Sequence, residues 1–554
     1  MTVFTLLKHT EPLAEKIAKS LGDEHKALSG DVLKQLATAF QQGRPIIALM
    51  ASGIILRAIG PLLANKHSDA PVISLSPDGQ HVVPLLGGHH GANQLARQIA
   101  EITKGTAAIT TASDSRFRIA LDEPPAGYVL ANPADYKAFM ARVLAGEKIK
   151  LNARVNWLET SDLPFFVIPA NAGIQKPAHE KESVDSSVRW NDEDALQITI
   201  TATSLPGSKS HLVYHPKTLT IGVGCERHTD PQELIDLISR CLASANLSRS
   251  AIACLTSIDL KSDERAITQA ARHFNVPARF FTADQLNQQA PRLKNPSEIV
   301  MAEVGCPGVA EGAALAAGGK NAELIIEKTK STRATCAITQ SPEPIITLPG
   351  TPRGKLSVIG IGPGSDEWRS PQATSELINA SDWVGYDLYL DLVADLKTSQ
   401  NEHRFGLGKE EARVRHAFAL AGQGRDVALV CSGDAAIYAM AALVYEVLDS
   451  GTLSPCEQRV EIKTLPGISA FQAASARAGA LIGHDFCTIS LSDLLTPWET
   501  IEKRLKTAAE GDFNIAFYNP RSLKRTDQLQ KAIDILKPHR TPDTPVIIAS
   551  NLGR

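Results

Sequence analysis

Apolar runs broken by glycine and turn residues recur along the 554-residue chain, several of them reading as strands that end in loops. The clearest is Leu356-Ser-Val-Ile-Gly-Ile-Gly-Pro-Gly364. Its apolar positions do not alternate with polar ones, which predicts a strand covered on both faces running into a glycine-rich loop. Three further strand-to-loop endings follow, at Val427–Asp434, Ile462–Ala470 and Ile515–Pro520. Upstream, residues 1–135 alternate strand and helix signals. Pro45–Met50 reads as a strand, Ala51-Ser-Gly53 as a loop, and Ile54–Leu63 as the start of a helix. Pro71–Leu75 and His81–Leu85 flank Asp78-Gly79, a hairpin signal. Residues 136–215 are less regular and predict a small middle domain, with Ala170–Asp194 as a polar, disordered insertion. Residues 218–340 resume the α/β pattern. Leu219–Gly224 and Ile252–Ile258 read as strands there, and Asp230-Pro231 opens an amphipathic helix. A proline-rich stretch, 341–354, reads as a linker to a last domain over 355–554. The predicted fold class is α/β and multidomain.

Composition narrows the partners. Hydrophobic residues at 43% and charged residues at 21% describe a globular protein, and 57 basic against 60 acidic residues leave a net charge of −3. That balance implies no nucleic-acid field and no membrane field, so an acidic ligand must be met by local patches. The eight cysteines show no metal-ligand spacing and read as buried thiols of a reducing cytoplasm; no metal is expected. The N-terminal apolar run is too short for a signal peptide. Ile46–Ala64 carries Arg57 and two glycine breaks, against a membrane span.

The glycine loop invites a dinucleotide reading, but Pro363 interrupts it and the next helix starts only at Ser370-Pro371. A pyrophosphate there would not meet a helix N-terminus. The four loops offer backbone N–H and C=O groups and few acid–base side chains, which suits a cofactor whose leaving group is already activated. In the front half, His89 and His90 lie beside flexible backbone at the mouth of a helix; they suit either a carboxylate site or a solvated loop. Polar clusters at element ends add Asp259, Lys261, Glu298, Glu311, Lys328 and Lys330. These could bind carboxylates or activate water, and capping or turn chemistry would explain each equally.

Gly360-Ile-Gly-Pro-Gly364, Ser432-Gly-Asp434, Pro466-Gly-Ile-Ser-Ala470 and Tyr518-Asn-Pro520 together resemble the ordered motifs of the tetrapyrrole (class III) methyltransferases. Val384-Gly-Tyr386, Gly483-His-Asp-Phe486 and Tyr518-Asn-Pro-Arg-Ser522 resemble, within them, the precorrin-3B C(17)-methyltransferases of cobalamin biosynthesis. Ala435-Ala436 departs from the usual Pro-Gly. Ala51–Leu63, Gly88–Asn93, Ile258–Lys261, Asn295–Glu298 and Lys328–Ser331 resemble the cobalt-precorrin-5A hydrolases over about residues 1–340. The resemblance implies two α/β lobes over 355–554 that bind S-adenosylmethionine. Gly362, Pro363, Gly433, Asp434, Ile437, Ser469, Ala470 and Asn519 are the candidate cofactor residues. It implies methylation of precorrin-3B or cobalt-factor III at ring carbon 17 with ring contraction, and a front half that opens a lactone and releases acetaldehyde. The alternative is a front half that binds tetrapyrrole as a non-catalytic accessory module. A tetrapyrrole substrate carries many carboxylates, so His403, Arg404, Arg413 and Arg521 are candidates by charge, with Lys409, Arg415 and His416 beside them; Arg413 and His416 equally suit an exposed helix face. A homodimer through the last domain is also implied. The family continues beyond the point reached at Asn551-Leu-Gly-Arg554, so a C-terminally incomplete second lobe, with weak methyl transfer and a tendency to aggregate, is expected.

Overall fold

The computed structural model describes all residues except 42, 66–68, 89–90, 111–115, 118, 154, 167–194, 523–524 and 553–554. His89, His90 and the whole insertion expected at 170–194 lie outside the described residues. The chain forms two compact units, Met1–Pro352 and Arg353–Arg554.

Among the described residues the first unit holds three sheets. In the first, Thr2–Thr5 pairs in parallel with Glu24–Ala27 and Ile46–Leu49, and Ile46–Leu49 with Val72–Leu75. The Asp78-Gly79 turn then reverses the chain into antiparallel His81–Leu86. Its turn is closed locally: the Asp78 carboxylate accepts from the Gln80 N–H at 3.0 Å and from the Ser76 hydroxyl. The helix expected from Ile54 starts at Ser52 and runs to Ile59.

The second sheet orders Tyr128–Leu130, His211–Pro216, Leu196–Ile200, Ile149–Leu151 and Phe165–Phe166. Its core includes Phe117, Leu121 and Leu130, so it draws on chain that lies before the boundary placed at 135. Core side chains come from both sides of that boundary, Phe117, Leu121 and Leu130 packing with Phe139, Val143 and Tyr214.

The third sheet sets Ala278–Phe281, Ile252–Ile258 and Leu219–Cys225 in parallel, then adds antiparallel Ala334–Gln340 and Glu323–Lys330. Every residue of Ile252–Ile258 is buried, as its unbroken apolar run requires. Asp230 caps the Pro231–Ser244 helix by accepting from the Gln232 N–H at 3.1 Å. The proline-rich 341–354 stretch is not a free linker. The Ile345 N–H donates to Lys217 O at 2.9 Å, and Thr351 and Phe280 exchange two backbone bonds of 2.8 and 2.9 Å.

The second unit is built on five parallel strands in the order Asn401–Phe405, Asp382–Tyr386, Asp426–Cys431, Lys355–Gly360, Glu461–Leu465. Helices return each strand, so all five carboxy-terminal ends and their loops share one edge. A smaller parallel pair, Phe486–Ser490 with Asn514–Tyr518, forms a second lobe. Its core of Ile489, Leu491, Ile501, Leu505, Ala508 and Ala532 joins strand to the Trp498–Glu510 and Gln528–Leu536 helices. All eight cysteines are free thiols; Cys456 is exposed, against the expectation that the cysteines are buried, because it lies in a four-residue surface helix. Among the described residues no single helix is long and apolar enough to cross a membrane.

Candidate cofactor site

Three glycine loops meet at the carboxy-terminal edge of the second unit's sheet. The Ile361 N–H continues the ladder onto Cys431 O at 2.9 Å, and Gly362 and Gly433 then exchange backbone bonds of 3.1 and 2.8 Å. The third loop closes on these two. A Cβ on Gly467 would overlap Gly433 O, and one on Gly360 would stand 2.6 Å from Gly433 O and 2.9 Å from Gly467 N. Glycine at 360 and 467 is therefore required by close backbone approach. Gly433 is glycine for another reason: its φ is +68°, while the nearest atoms to a Cβ there, Ser469 Cα and Ala470 N, stand 3.8 and 3.9 Å away. Gly433, Ser469 and Ala470 thus lie together.

Asp434 braces this cradle. Its carboxylate accepts from the Ala436 N–H at 2.8 Å through one oxygen and from the Gly467 N–H at 3.1 Å through the other. Ala435, in place of the usual proline, is fully buried, and Ala436 is exposed. Pro363 and Ile437 are half-buried on the flanking turns, and the Ile437 N–H reaches Asp434 O at 3.4 Å. Ser469 is spent on structure: its hydroxyl caps the Ala470–Ala478 helix in a reciprocal box with Gln472, and also bonds the Tyr518 hydroxyl.

That bond is one of several joining the two lobes. Tyr438 donates to Thr488 O at 2.8 Å, and its ring lies 5.0 Å from that of Tyr518. Phe471 packs on Phe486 at 5.4 Å. Asn519, at φ +50°, lies just beyond Tyr518, with its amide on Ser490 Oγ at 3.1 Å; Arg525 donates to Asn519 O at 2.8 Å and to Ser492 Oγ at 2.8 Å. Tyr438, Thr488 and Arg525 were not among the expected residues. Tyr438 carried a signal, an aromatic residue just past Ser-Gly-Asp, whereas the Thr488 contact depends on the lobes meeting and those of Arg525 on the fold of the second lobe itself.

The four basic candidates separate. His403 donates into fully buried Asp382, at 3.0 Å, and receives His416 on its other nitrogen at 2.9 Å. Asp382 also takes Arg425, Asn401 and Ser381. Burial would raise the Asp382 carboxyl, but the hydrogen bonds from His403, Ser381 and Asn401 outweigh it and hold it below the ordinary range. Asp382 opens its strand, so this network ties His403 toward the end of the sheet opposite the glycine loops. Arg404 is engaged by Glu402 and Asp391, each at 2.8 Å. Arg521 is exposed. Arg413, which suited an exposed helix face by its pattern, is 3% exposed, because that side of the Glu410–Gly422 helix packs on Met440 and the Gly406 backbone.

In the first unit the structure joins Glu311 to Lys328. Glu311 is buried, and its two oxygens accept from the Lys294 and Asn295 N–H groups, the Asn295 amide and the Lys328 N–H, at 2.8–3.0 Å. Burial raises this carboxyl, and the four bonds bring it below its ordinary value. Lys328 Nζ donates to Asn295 O at 3.0 Å. Asp259 and Lys261 are half-buried in the turn after Ile252–Ile258. Glu298 and Lys330 are exposed. A 280 Å³ cavity in the N-terminal domain is lined by Leu63, Asn65, Asp69 and Leu86–Gly88.

A parallel sheet whose loops meet at one edge, bonded to a small second lobe, is the architecture of the second unit. Residues 355–554 match the Tetrapyrrole (Corrin/Porphyrin) Methylases, 34–114 the Cobalamin synthesis G N-terminal family and 219–339 the Cobalamin synthesis G C-terminus family. The chain is 41% identical over 202 residues to the precorrin-3B C(17)-methyltransferase of a Sinorhizobium species, covering 36% of this chain and 78% of that protein. It is 48% identical over 204 residues to the cobalt-factor III methyltransferase of Priestia megaterium, which covers 36% of this chain but only 37% of that longer protein. Among solved structures, the methyltransferase CobJ is 43% identical, at a TM-score of 0.33, over 34% of this chain and 77% of that one. The chain belongs to the tetrapyrrole methylases, fused to both cobalamin synthesis G segments. Methylases of this family use S-adenosylmethionine.

Proposed function

We propose that residues 353–554 bind S-adenosylmethionine and methylate ring carbon 17 of precorrin-3B or cobalt-factor III, with ring contraction, in cobalamin biosynthesis. The observation that supports this most is the three-loop cradle, where close backbone approach forces glycine at 360 and 467. Gly362, Pro363, Gly433, Asp434, Ile437, Ala470 and Asn519 would line the cofactor. When bound, it supplies a methyl group whose departure needs no acid catalyst. The chain's own work is then positioning: Asp434 fixes the Gly467 and Ala436 N–H groups, and Ser469 locks the third loop to Tyr518. The first unit is proposed to open the lactone of a later corrin precursor and release acetaldehyde. A homodimer through residues 353–554 and a cytoplasmic location belong to the same reading.

Incubating the full chain with S-adenosylmethionine and cobalt-factor III or precorrin-3B, followed by mass spectrometry, tests the first activity. Gain of one methyl group is expected, and Gly433→Asp should abolish it because a charged side chain enters the loop. Methyl transfer that survives Gly433→Asp unchanged would remove this loop from the site. Acetaldehyde release from a lactone-bearing precursor by the same protein tests the second activity.

A further inference from the structure

We infer that Arg413 binds a peripheral carboxylate of the tetrapyrrole, an inference that rests on the methylase reading of residues 353–554. Arg413 is 3% exposed, yet its guanidinium has no carboxylate partner among the described residues. Among the described residues its Nε has no acceptor. One terminal nitrogen reaches Met440 Sδ at 3.9 Å and the other Gly406 O at 3.4 Å, both long. The acids of its own helical turn are engaged elsewhere: Glu410 accepts from the Gly408 N–H at 3.1 Å, and Glu411 pairs with Arg415 at 2.8 Å. Arg369, also buried, shows the usual arrangement, with Asp395 at 3.1 Å and Thr374 at 3.2 Å. A cation buried without a counter-ion is unfavourable, and a group that brings one is bound by it.

Position says what that group is. Arg413 lies in the first turn of the Glu410–Gly422 helix, beside Met440, the first residue of the helix that follows Ser432-Gly-Asp434. It is therefore at the cradle's edge of the sheet, where a helix N-terminus also favours an anion. Its cover is the loop Gly406-Leu-Gly-Lys409. Both glycines have open space where a Cβ would stand, and Arg413 itself holds the loop by the one long contact to Gly406 O. Leu407 in this loop is 73% exposed. An incoming carboxylate would replace the Gly406 carbonyl on the guanidinium as a two-oxygen acceptor, while Leu407 meets apolar surface. A flat macrocycle edged with carboxylates offers both.

The test uses the full chain with uroporphyrin, which carries carboxylates around its ring, and its uncharged octaamide, read by fluorescence quenching. Arg413→Gln and Arg413→Met should bind the acid at least about tenfold more weakly and the amide unchanged, with Arg413→Lys between. Leu407→Ser should weaken both probes alike. The melting temperature of Arg413→Met should be no lower than that of the parent, because an unpaired buried charge is removed. Equal binding of the acid by the parent and Arg413→Gln overturns the assignment. So does a lowered melting temperature with parallel loss of both probes, which marks a structural arginine. A parent that neither binds uroporphyrin nor is stabilised by S-adenosylhomocysteine overturns the methylase reading itself; stabilisation with no uroporphyrin binding overturns Arg413 alone.

Discussion

Gly433 and Gly467 meet across the loops of the proposed cofactor site but should respond differently to the same substitution. A methyl group on Gly467 overlaps Gly433 O, and backbone cannot move aside as a side chain does. Gly467→Ala should cost about 1–3 kcal/mol or more and abolish stabilisation by S-adenosylhomocysteine. At Gly433 the space is open and the cost is the left-handed φ, about 1–2 kcal/mol, so Gly433→Ala should fold and retain a weakened shift. Thermal melts of both variants with and without the ligand check the contrast; equal losses would mean the loops are looser than their contacts. Asp434 gives a third expectation at this scale. Asp434→Asn turns an amide N–H toward either the Gly467 or the Ala436 N–H, leaving one donor unpaired, for about 1–3 kcal/mol in urea unfolding. This bracing role was not legible in the sequence. Ser432-Gly-Asp434 marked the residue, but its partner at Gly467 comes from another strand's loop and only the sheet order brings the two together.

At the scale of elements, the second unit's sheet has a charged network toward one end and the cradle at the other. His416, packed against His403 and Phe405, is held below its ordinary value of 6.5, first by burial and then by the neighbouring His403. A histidine so placed binds fewer protons folded than unfolded. Its stabilising contribution is complete above the unfolded value and is lost as pH falls through the folded one. Asp382, held below 3.8, keeps its own contribution until far more acid conditions. The second unit should therefore lose stability between about pH 7 and about pH 5, and His416→Phe should flatten that slope. Melts across the range decide it, since an equally steep slope in the variant would assign the effect to other groups. Elements closed by local chemistry were readable in advance. Ser370 caps the Pro371–Asn379 helix through the Ala373 N–H at 3.1 Å, Asp230 does the same at Pro231, and Asp78-Gly79 turns its hairpin. Each needs only neighbours in sequence. His403, Arg404 and Arg413 were candidates by charge alone, and charge does not reveal a partner. Asp382 lies 21 residues from His403 and Asp391 lies 13 from Arg404, across strand and helix. Arg413 and His416 equally suited an exposed helix face, but the helix turns Arg413 into the core and sets His416 against His403.

At the scale of the whole molecule, the division at Pro352 and Arg353 gives ligand binding a location. All the loops of the proposed cofactor site lie in the second unit, and the groups that join them are bonds within it. A ligand that binds only the folded second unit stabilises that unit by about 2.7 kcal/mol at a hundredfold excess over Kd. For a unit of this size, each kcal/mol raises the midpoint by about 2–4 °C, so S-adenosylhomocysteine should move its transition by about 5–10 °C. The melting of the first unit has no part in that equilibrium. Scanning calorimetry of the full chain should therefore show at least two components, of which one moves with ligand and the other does not. Gly467→Ala should remove the movement without altering the stationary component. If both components shift together, the units unfold as one cooperative body and the ligand's energy is shared between them. If the stationary component moves alone, the cofactor site belongs to the first unit, and the three-loop cradle serves another purpose.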